Sequence, residues 1–157
     1  MTVTLFIYLL SLVCWLGGMV FFSIFTAPVI FRVLARADAG KVVSGIFPRY
    51  YLLGYIAGAI ALALALYFCF LRSGRLWWML SAAALAIALG LTIYAGAVLR
   101  PRIDAIHIVA EEPSPEAARK LEFDHLHRLS VSLNGGVMVL NLLALLSTAA
   151  ALSQHYG

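Results

Sequence analysis

Residues 50–99 read YYLLGYIAGAIALALALYFCFLRSGRLWWMLSAAALAIALGLTIYAGAVL, which is two apolar stretches around a short polar link. The stretches run from about Tyr50 to Leu71 and from about Leu76 to Leu99, and neither contains a charged residue. At 1.5 Å per residue, each is long enough to cross about 30 Å of hydrocarbon as a helix. The link Arg72-Ser73-Gly74-Arg75 is so short that the two helices must be antiparallel neighbours.

The composition of the 157-residue chain is that of a membrane protein. Hydrophobic residues make up 64% of the chain and charged residues 11%, with a mean hydropathy of +0.99. Soluble domains are about 45–50% apolar and about 25% charged. A soluble fold of this size could not bury so much apolar surface. We therefore expect one transmembrane domain covering residues 1–157.

Two further apolar stretches, at about residues 3–30 and 129–152, bring the number of expected spans to four. The first lacks a basic leading region and a clear cleavage site, so we expect it to be retained as a helix. None of the four alternates polar and apolar residues as barrel strands do. The sequence predicts an all-α membrane protein with a four-transmembrane-helix antiparallel bundle.

The basic residues predict the orientation of this bundle. Nine of the eleven Lys and Arg residues lie in the first and third connections, residues 31–49 and 100–128. The positive-inside rule places these connections in the cytoplasm and both termini outside. We therefore expect a multi-pass protein of a bacterial cytoplasmic membrane. Topology also explains the net charge of +4.

The expected partners follow from this setting. The lipid bilayer is the first, and a homo-oligomer or a partner membrane protein is the second. No basic run has interleaved aromatic residues, so no nucleic acid is expected.

The first connection is expected to contain a short helix lying in the membrane interface. Asp38 is suited to cap it, and its apolar face continues to about Phe47. Pro48 would then occupy the first turn of the second membrane helix, where proline is favoured.

The third connection is expected to form cytoplasmic helical extensions of helices three and four. Ser114 and Pro115 suit the N-cap and first position of a helix, so the fourth helix should begin there and protrude into the cytoplasm. The third helix should continue past Pro101 to about Ala110, giving a helical hairpin with its turn at Pro113.

Candidate functional residues form a polar stripe on the fourth helix. Asp124, His127, Ser130, Asn134 and Asn141 fall on one face at helical spacing. Polar side chains avoid lipid, so this face should line the bundle interior or a polar cavity. One interpretation is a ligand or ion site with His127 at its cytoplasmic mouth. The other is interhelical hydrogen bonding by the two asparagines.

Three residues on other helices extend the candidate site. Trp15 lies in the middle of the first helix, where its indole N–H could bond Asn134 or Asn141, or where the ring could simply pack. Tyr50 and Arg102 lie at the depth of the stripe's cytoplasmic end. Arg102 could pair with Asp124, bind an anionic headgroup or substrate, or only anchor the helix. The candidate ligand-binding set is Trp15, Tyr50, Arg102, Asp124, His127, Ser130, Asn134 and Asn141.

No enzyme signature accompanies these residues. GxSxG, Walker, HExxH and GxGxxG motifs are absent, and no catalytic residue is predicted. His125 and His127 would point about 200° apart on a helix, so they cannot bind one metal together. A haem held by two histidines would need a second histidine within the membrane, and the sequence has none. The sequence leaves the metal and cofactor content open.

Four short motifs occur in an order and spacing that resemble one family. They are Trp15-Leu16-Gly17-Gly18, Phe47-Pro48-Arg49-Tyr50-Tyr51, Pro101-Arg102, and His127-Arg128-Leu129-Ser130 followed by Asn134. Over nearly its whole length the chain resembles the transmembrane protein 205-like family of small membrane proteins, defined as a domain of unknown function. The resemblance implies a four-helix membrane protein and singles out Trp15, Phe47, Pro48, Tyr50, Pro101, Arg102, His127, Ser130 and Asn134.

This resemblance also implies a direction for function. The vertebrate member is associated with resistance to platinum drugs, by export or trafficking, and the family provides no catalytic residue to carry over. This chain is shorter than the vertebrate proteins in the third connection. Platinum favours Met and Cys ligands, yet the sequence has no Met-xxx-Met ladder.

Three hypotheses for function follow. The first is transport or small-ligand or ion binding through a polar bundle interior with a cytoplasmic mouth. The second is a structural or accessory membrane subunit without a substrate of its own. The third is a haem- or metal-linked redox protein.

Overall fold

The computed structural model describes residues 1–71, 74–108 and 116–156, apart from the side chains at positions 36, 37, 106–108, 116–120, 155 and 156. Helix accounts for nearly all of these residues, and they contain no strand. The elements are α1 (Thr2–Val20), a first π-helical turn (Phe21–Thr26), α2 (Ala27–Val33), α3 (Arg36–Leu71), α4 (Arg75–Tyr94), a second π-helical turn (Ala95–Leu99), α5 (Arg100–Ile108) and α6 (Glu116–Tyr156).

The elements join end to end into four long helices, each long and apolar enough to cross a membrane. Their apolar parts are the first to fourth spans: Thr2–Val33, Asp38–Leu71, Arg75–Ala105 and Leu121–Gln154. The predicted all-α bundle of four transmembrane helices is confirmed. Both predicted helical extensions are present as α5 and the first turns of α6. The expected end at Ala110 and the expected turn and cap at residues 113–115 lie outside the described residues.

The first connection differs from the prediction. The expected short helix and the second membrane helix are one continuous helix, α3, and Pro48 lies inside it instead of in its first turn. An interior proline lacks the N–H that would donate to the carbonyl four residues earlier. That carbonyl, on Ser44, instead accepts a hydrogen bond from Arg100 Nη2 at 2.9 Å. With this donor supplied from the third span, the helix continues through the proline.

The spans pack in chain order. The first lies on the second, the second on the third and the third on the fourth, with a smaller contact between the fourth and the first. Gly74, the N-cap of α4, directly precedes the third span at φ 76°, a left-handed conformation that glycine adopts without strain. We term the end near Gly74 and both chain termini the turn end. The opposite end, which carries the two longer connections, is the basic end.

A buried hydroxyl cluster holds the turn end together. The Tyr8 hydroxyl lies 2.8 Å from Ser81 Oγ and 2.7 Å from Thr148 Oγ1, joining the first, third and fourth spans. These side chains are almost fully buried, so their hydroxyls bond one another and the Ala144 carbonyl instead of water. The rings of Phe68 and Trp78 pack against Tyr8 and complete this part of the core.

Glycines in the second span let Trp15 approach its backbone closely. A Cβ at Gly58 would lie 2.9 Å from two atoms of the Trp15 ring and 3.0 Å from Leu89 Cδ1. A Cβ at Gly54 would lie 3.1 Å from Trp15 Nε1. Trp15 is 2% exposed. The Gly54-xxx-Gly58 motif therefore serves packing inside the bundle and fixes the position of the Trp15 ring.

A candidate functional site in the basic half of the bundle

Asn134 links three spans at one level. Its Nδ2 donates to Ser23 Oγ at 2.9 Å on the first span, and its Oδ1 accepts a hydrogen bond from the Tyr50 hydroxyl on the second. Both ends of the amide are therefore used across helix interfaces. Such bonds contribute about 0.6–2 kcal/mol each in membrane proteins.

A small cavity lies beside these hydrogen bonds, and we term it the chamber. Its volume of about 20 Å³ is enough for about one water molecule. Five uncharged polar residues line it: Tyr50, Tyr51, Thr92, Ser130 and Asn134. Trp15 forms part of the apolar wall. The chamber can therefore accept a small hydrogen-bonding species, but it provides no charged side chain to balance an anion.

Both π-helical turns lie at the level of the chamber. The first carries Ser23, which accepts the hydrogen bond from Asn134. The second begins at Ala95, which lines the chamber. π-helical turns are rare and occur often at functional sites, because each adds a residue to a turn and redirects the side chains that follow. Two such turns at one level distinguish this half of the bundle from the turn end.

Aromatic rings form a column along the second span beside the chamber. The Phe22 and Tyr50 rings lie 5.2 Å apart, and those of Phe47 and Tyr51 5.8 Å apart. The Tyr51 and Tyr55 rings stack at 6.3 Å. Tyr50 and Tyr51 both line the chamber, so the column links the chamber wall to the packing of the basic end.

A charged joint lies at the basic end, formed by Ser44, Arg100 and Asp104. Besides the bond from Arg100 Nη2 to the Ser44 carbonyl, Arg100 Nε lies 3.5 Å from Asp104 Oδ2. The Ser44 hydroxyl donates to Asp104 Oδ1 at 3.5 Å. The side chains of Arg100 and Asp104 are 23% and 35% exposed. This joint connects the second and third spans, and the sequence analysis did not identify it.

The second π-helical turn explains why Arg100 faces inward and Arg102 does not. Thr92, Ala95 and Leu99 are buried in the third span. On an uninterrupted helix the next inward position would be 102 or 103. Because the π turn adds a residue to its turn, Arg100 and Asp104 are partly buried, while Arg102 is exposed.

The structure does not bring Arg102, Asp124 or His127 to the chamber. All three side chains are exposed. Asp124 and His127 lie on the open surface of α6, beside Leu121 and Arg128. One of the roles considered for Arg102, a pair with Asp124, is not formed: in the described part of the chain, the ion pairs are Asp38–Lys41 and Arg100–Asp104.

The two remaining candidates, Asn141 and Trp15, do not bond each other. Asn141 is 1% exposed and donates from Nδ2 to the Val137 carbonyl at 3.0 Å, whereas its Oδ1 is buried without a hydrogen-bond partner. The Trp15 indole nitrogen lies against Gly54. The hydrogen bonds of both asparagines go to other groups, so Trp15 contributes packing and a chamber wall.

Metal-binding side chains are dispersed over the described residues. These contain no group of three or more His, Cys, Asp or Glu side chains placed to hold a metal ion. Cys14 is an exposed free thiol and Cys69 a buried one.

Comparisons with known proteins place this chain in a family. A family model described as a domain of unknown function, DUF4149, matches residues 10–112. An uncharacterized protein of Aquifex aeolicus (strain VF5) is 48% identical over 56 residues, which cover 36% of this chain and 41% of that protein. The chain thus matches less than half the length of this relative. No solved structure matches the chain. Since the family model covers well over half of the sequence, the chain belongs to the DUF4149 family.

Proposed function

We propose that this membrane protein binds and transports a small polar solute or ion through the chamber. The observation that carries the proposal is the meeting of Tyr50, Ser130 and Asn134 around a cavity, within a bundle whose interior is otherwise mainly apolar. Polar groups inside a membrane protein are costly and commonly mark substrate or ion pathways. The two π-helical turns at the same level support this interpretation.

The chamber's size and lining define the class of ligand. Hydroxyl and amide groups of Tyr50, Thr92, Ser130 and Asn134 offer uncharged oxygen atoms. A volume of about 20 Å³ suits a species about the size of water. We therefore propose a monovalent cation such as ammonium, Na⁺ or K⁺, or a small neutral solute able to pass a constriction of this size.

Filling the chamber should abolish transport. In proteoliposomes containing the full chain, the flux of ammonium, Na⁺, K⁺ and urea is measured one probe at a time. At least one probe should cross faster than in protein-free vesicles, and Ser130→Leu should reduce that flux to the protein-free rate by occupying the cavity. Ser132→Leu is the matched control, because Ser132 is exposed on the same helix and its replacement should leave the flux unchanged. Transport through Ser130→Leu at the wild-type rate would contradict the proposal.

An accessory subunit is the second candidate, and two observations favour it. Both ends of the Asn134 amide are used within the bundle, as expected of a residue that only holds helices together. Only 28% of the most apolar stretch of the first span is buried, and the same holds for the fourth. Their outer faces leave room for a partner. If none of the four probes crosses the membrane faster than in protein-free vesicles, this candidate replaces the first.

The likeness to the transmembrane protein 205-like family supports the transport proposal. Four of the residues that it singles out, Trp15, Tyr50, Ser130 and Asn134, line the chamber. A fifth, Phe47, packs against the Tyr50 ring at 6.2 Å. Export, which that resemblance implies, would require the chamber to open to both sides of the membrane in turn.

The basic end is proposed to face the cytoplasm of a bacterial cell. Single cysteines at Val42 and Ser153, in a chain without native cysteines, test this orientation because both positions are exposed and at opposite ends. A membrane-impermeant maleimide should label the Ser153 position in intact cells and the Val42 position only after the membrane is permeabilised. The reverse pattern would show that the bundle is inverted.

A further inference from the structure

Pro48 leaves a backbone carbonyl in the second span without its usual donor. In an α-helix the N–H of residue 48 would donate to the carbonyl of Ser44, but proline has no N–H. Arg100 Nη2 on the third span donates to this carbonyl at 2.9 Å instead. The continuity of α3 across Pro48 thus depends on a side chain from another span.

The rest of the joint is loosely bonded. Both contacts of the Asp104 carboxylate, to Arg100 Nε and to Ser44 Oγ, measure 3.5 Å. Charge-assisted hydrogen bonds are usually about 2.7–2.9 Å long. Arg100 Nε is buried and makes no hydrogen bond to the described part of the chain. The hydrogen bond from Arg100 to Ser44 is therefore the strongest contact that the joint makes between the second and third spans.

The joint adjoins the chamber wall on both spans. On the second span, Tyr50 and Tyr51 line the chamber within one turn of Pro48. On the third, the π-helical turn that contributes Ala95 to the chamber ends directly before Arg100. Movement at either helix would displace residues that enclose the cavity.

The segment Asp38–Phe47, directly before Pro48, packs with one face against the rest of the protein. Its residues Ala39 and Val43 are 0% and 8% exposed, although Asp38 and Lys41 on its other face are open to solvent. The Phe47 ring at the end of the segment packs on the Phe22 ring at 5.6 Å, so apolar contacts hold the segment to the first span. The hydrogen bond from Arg100 Nη2 to the Ser44 carbonyl holds it to the third span.

We propose that the Arg100–Ser44 hydrogen bond is the latch of a gate at the basic end of the chamber. While the bond is made, the segment Asp38–Phe47 stays against the third span and Tyr50 and Tyr51 enclose the cavity. When it breaks, the second span bends at Pro48 and the chamber opens to the basic end. The identity of the solute that passes the gate depends on the proposed function. The opening of the gate can be tested without any solute.

Cysteine accessibility in the chamber tests the latch. The full chain carries Ser130→Cys with Cys14→Ala and Cys69→Ala, and its rate of labelling by a water-soluble maleimide is measured in lipid nanodiscs. Maleimide is too large for a cavity of about 20 Å³, so labelling reports opening. A hydrogen bond to a charged group shifts such an equilibrium by about ten- to a hundredfold, and Arg100→Gln should accelerate labelling by that factor. Lys41→Gln, an exposed change on the same segment, should not.

A second substitution distinguishes loss of the latch hydrogen bond from a general destabilisation of the bundle. Pro48→Ala restores the N–H that serves the Ser44 carbonyl, so adding it to Arg100→Gln should return labelling to nearly the parent rate. Arg100→Met, which keeps most of the side-chain length but has no hydrogen-bond donor, takes the place of Arg100→Gln if that variant does not fold. Equal labelling of the parent and the Arg100 variant would overturn the proposal. So would fast labelling that persists when Pro48→Ala is added.

Discussion

Replacing Asn134 by leucine is expected to destabilise the bundle by about 1–4 kcal/mol and to abolish flux through the chamber. The change removes two interhelical hydrogen bonds, worth about 0.6–2 kcal/mol each, and leaves the Tyr50 and Ser23 hydroxyls without their partner. Leucine also places an apolar group against the chamber. Unfolding in mixed micelles of increasing dodecyl sulfate content measures the loss of stability.

Asn141 provides the matched control on the same helix. Its Oδ1 is buried without a partner, and its Nδ2 bonds only the preceding turn of its own helix. Leucine at this position removes an unsatisfied polar atom, so Asn141→Leu should be neutral or stabilise the fold by about 1 kcal/mol. If both substitutions destabilise equally, the distinction drawn here between the two asparagines is wrong.

A methyl group added at Gly58 is expected to destabilise the protein by about 1–3 kcal/mol. The new Cβ would lie 2.9 Å from Trp15 Cη2 and Cζ3, and 3.0 Å from Leu89 Cδ1. The Trp15 ring would have to move, and with it a wall of the chamber. Thermal unfolding of the purified Gly58→Ala variant in detergent measures the cost, and reduced flux in proteoliposomes would report the displaced wall.

Gly90→Ala is the control that separates the clash with Trp15 from the effect of helix propensity on stability. Gly90 is also helical, but a Cβ there meets nothing within 4 Å. Both substitutions gain the same helix propensity, about 0.5–1 kcal/mol over glycine, so their difference reports the contact with Trp15. A Gly58→Ala protein as stable as Gly90→Ala would show that the second span does not hold Trp15 tightly.

The sequence predicted the fold and four of the residues that line the chamber because lipid imposes simple rules. Backbone groups in hydrocarbon must bond within their own helix, so long apolar stretches can only be helices. Polar side chains must then face inward, which correctly brought Ser130 and Asn134 to the interior. Trp15 and Tyr50 followed from their depth in the first and second spans. Ser23 and Thr92, at the same depth, were missed because serine and threonine are common in apolar helices and carry little signal.

Three differences between the predictions and the structure have physical causes that the spacing of polar and apolar residues does not reveal. Arg100 faces inward and Arg102 does not, because the second π-helical turn shifts the inward face of the third span. Helix α3 continues through Pro48 because a distant arginine supplies the missing donor. At the level of Asp124 and His127, the partly buried side chains are Phe123 and Leu126. Helix α6 therefore turns a neighbouring face toward the bundle there, and Asp124 and His127 remain exposed.

The hydroxyl cluster at the turn end has a mechanical consequence. Tyr8, Ser81 and Thr148 contribute three hydroxyl hydrogens to five close contacts, two of which end on the Ala144 carbonyl. The hydrogens can therefore redistribute among neighbouring oxygens as the helices shift, and some bonding always remains. The cluster can therefore act as a pivot that keeps the first, third and fourth spans joined at the turn end during such shifts.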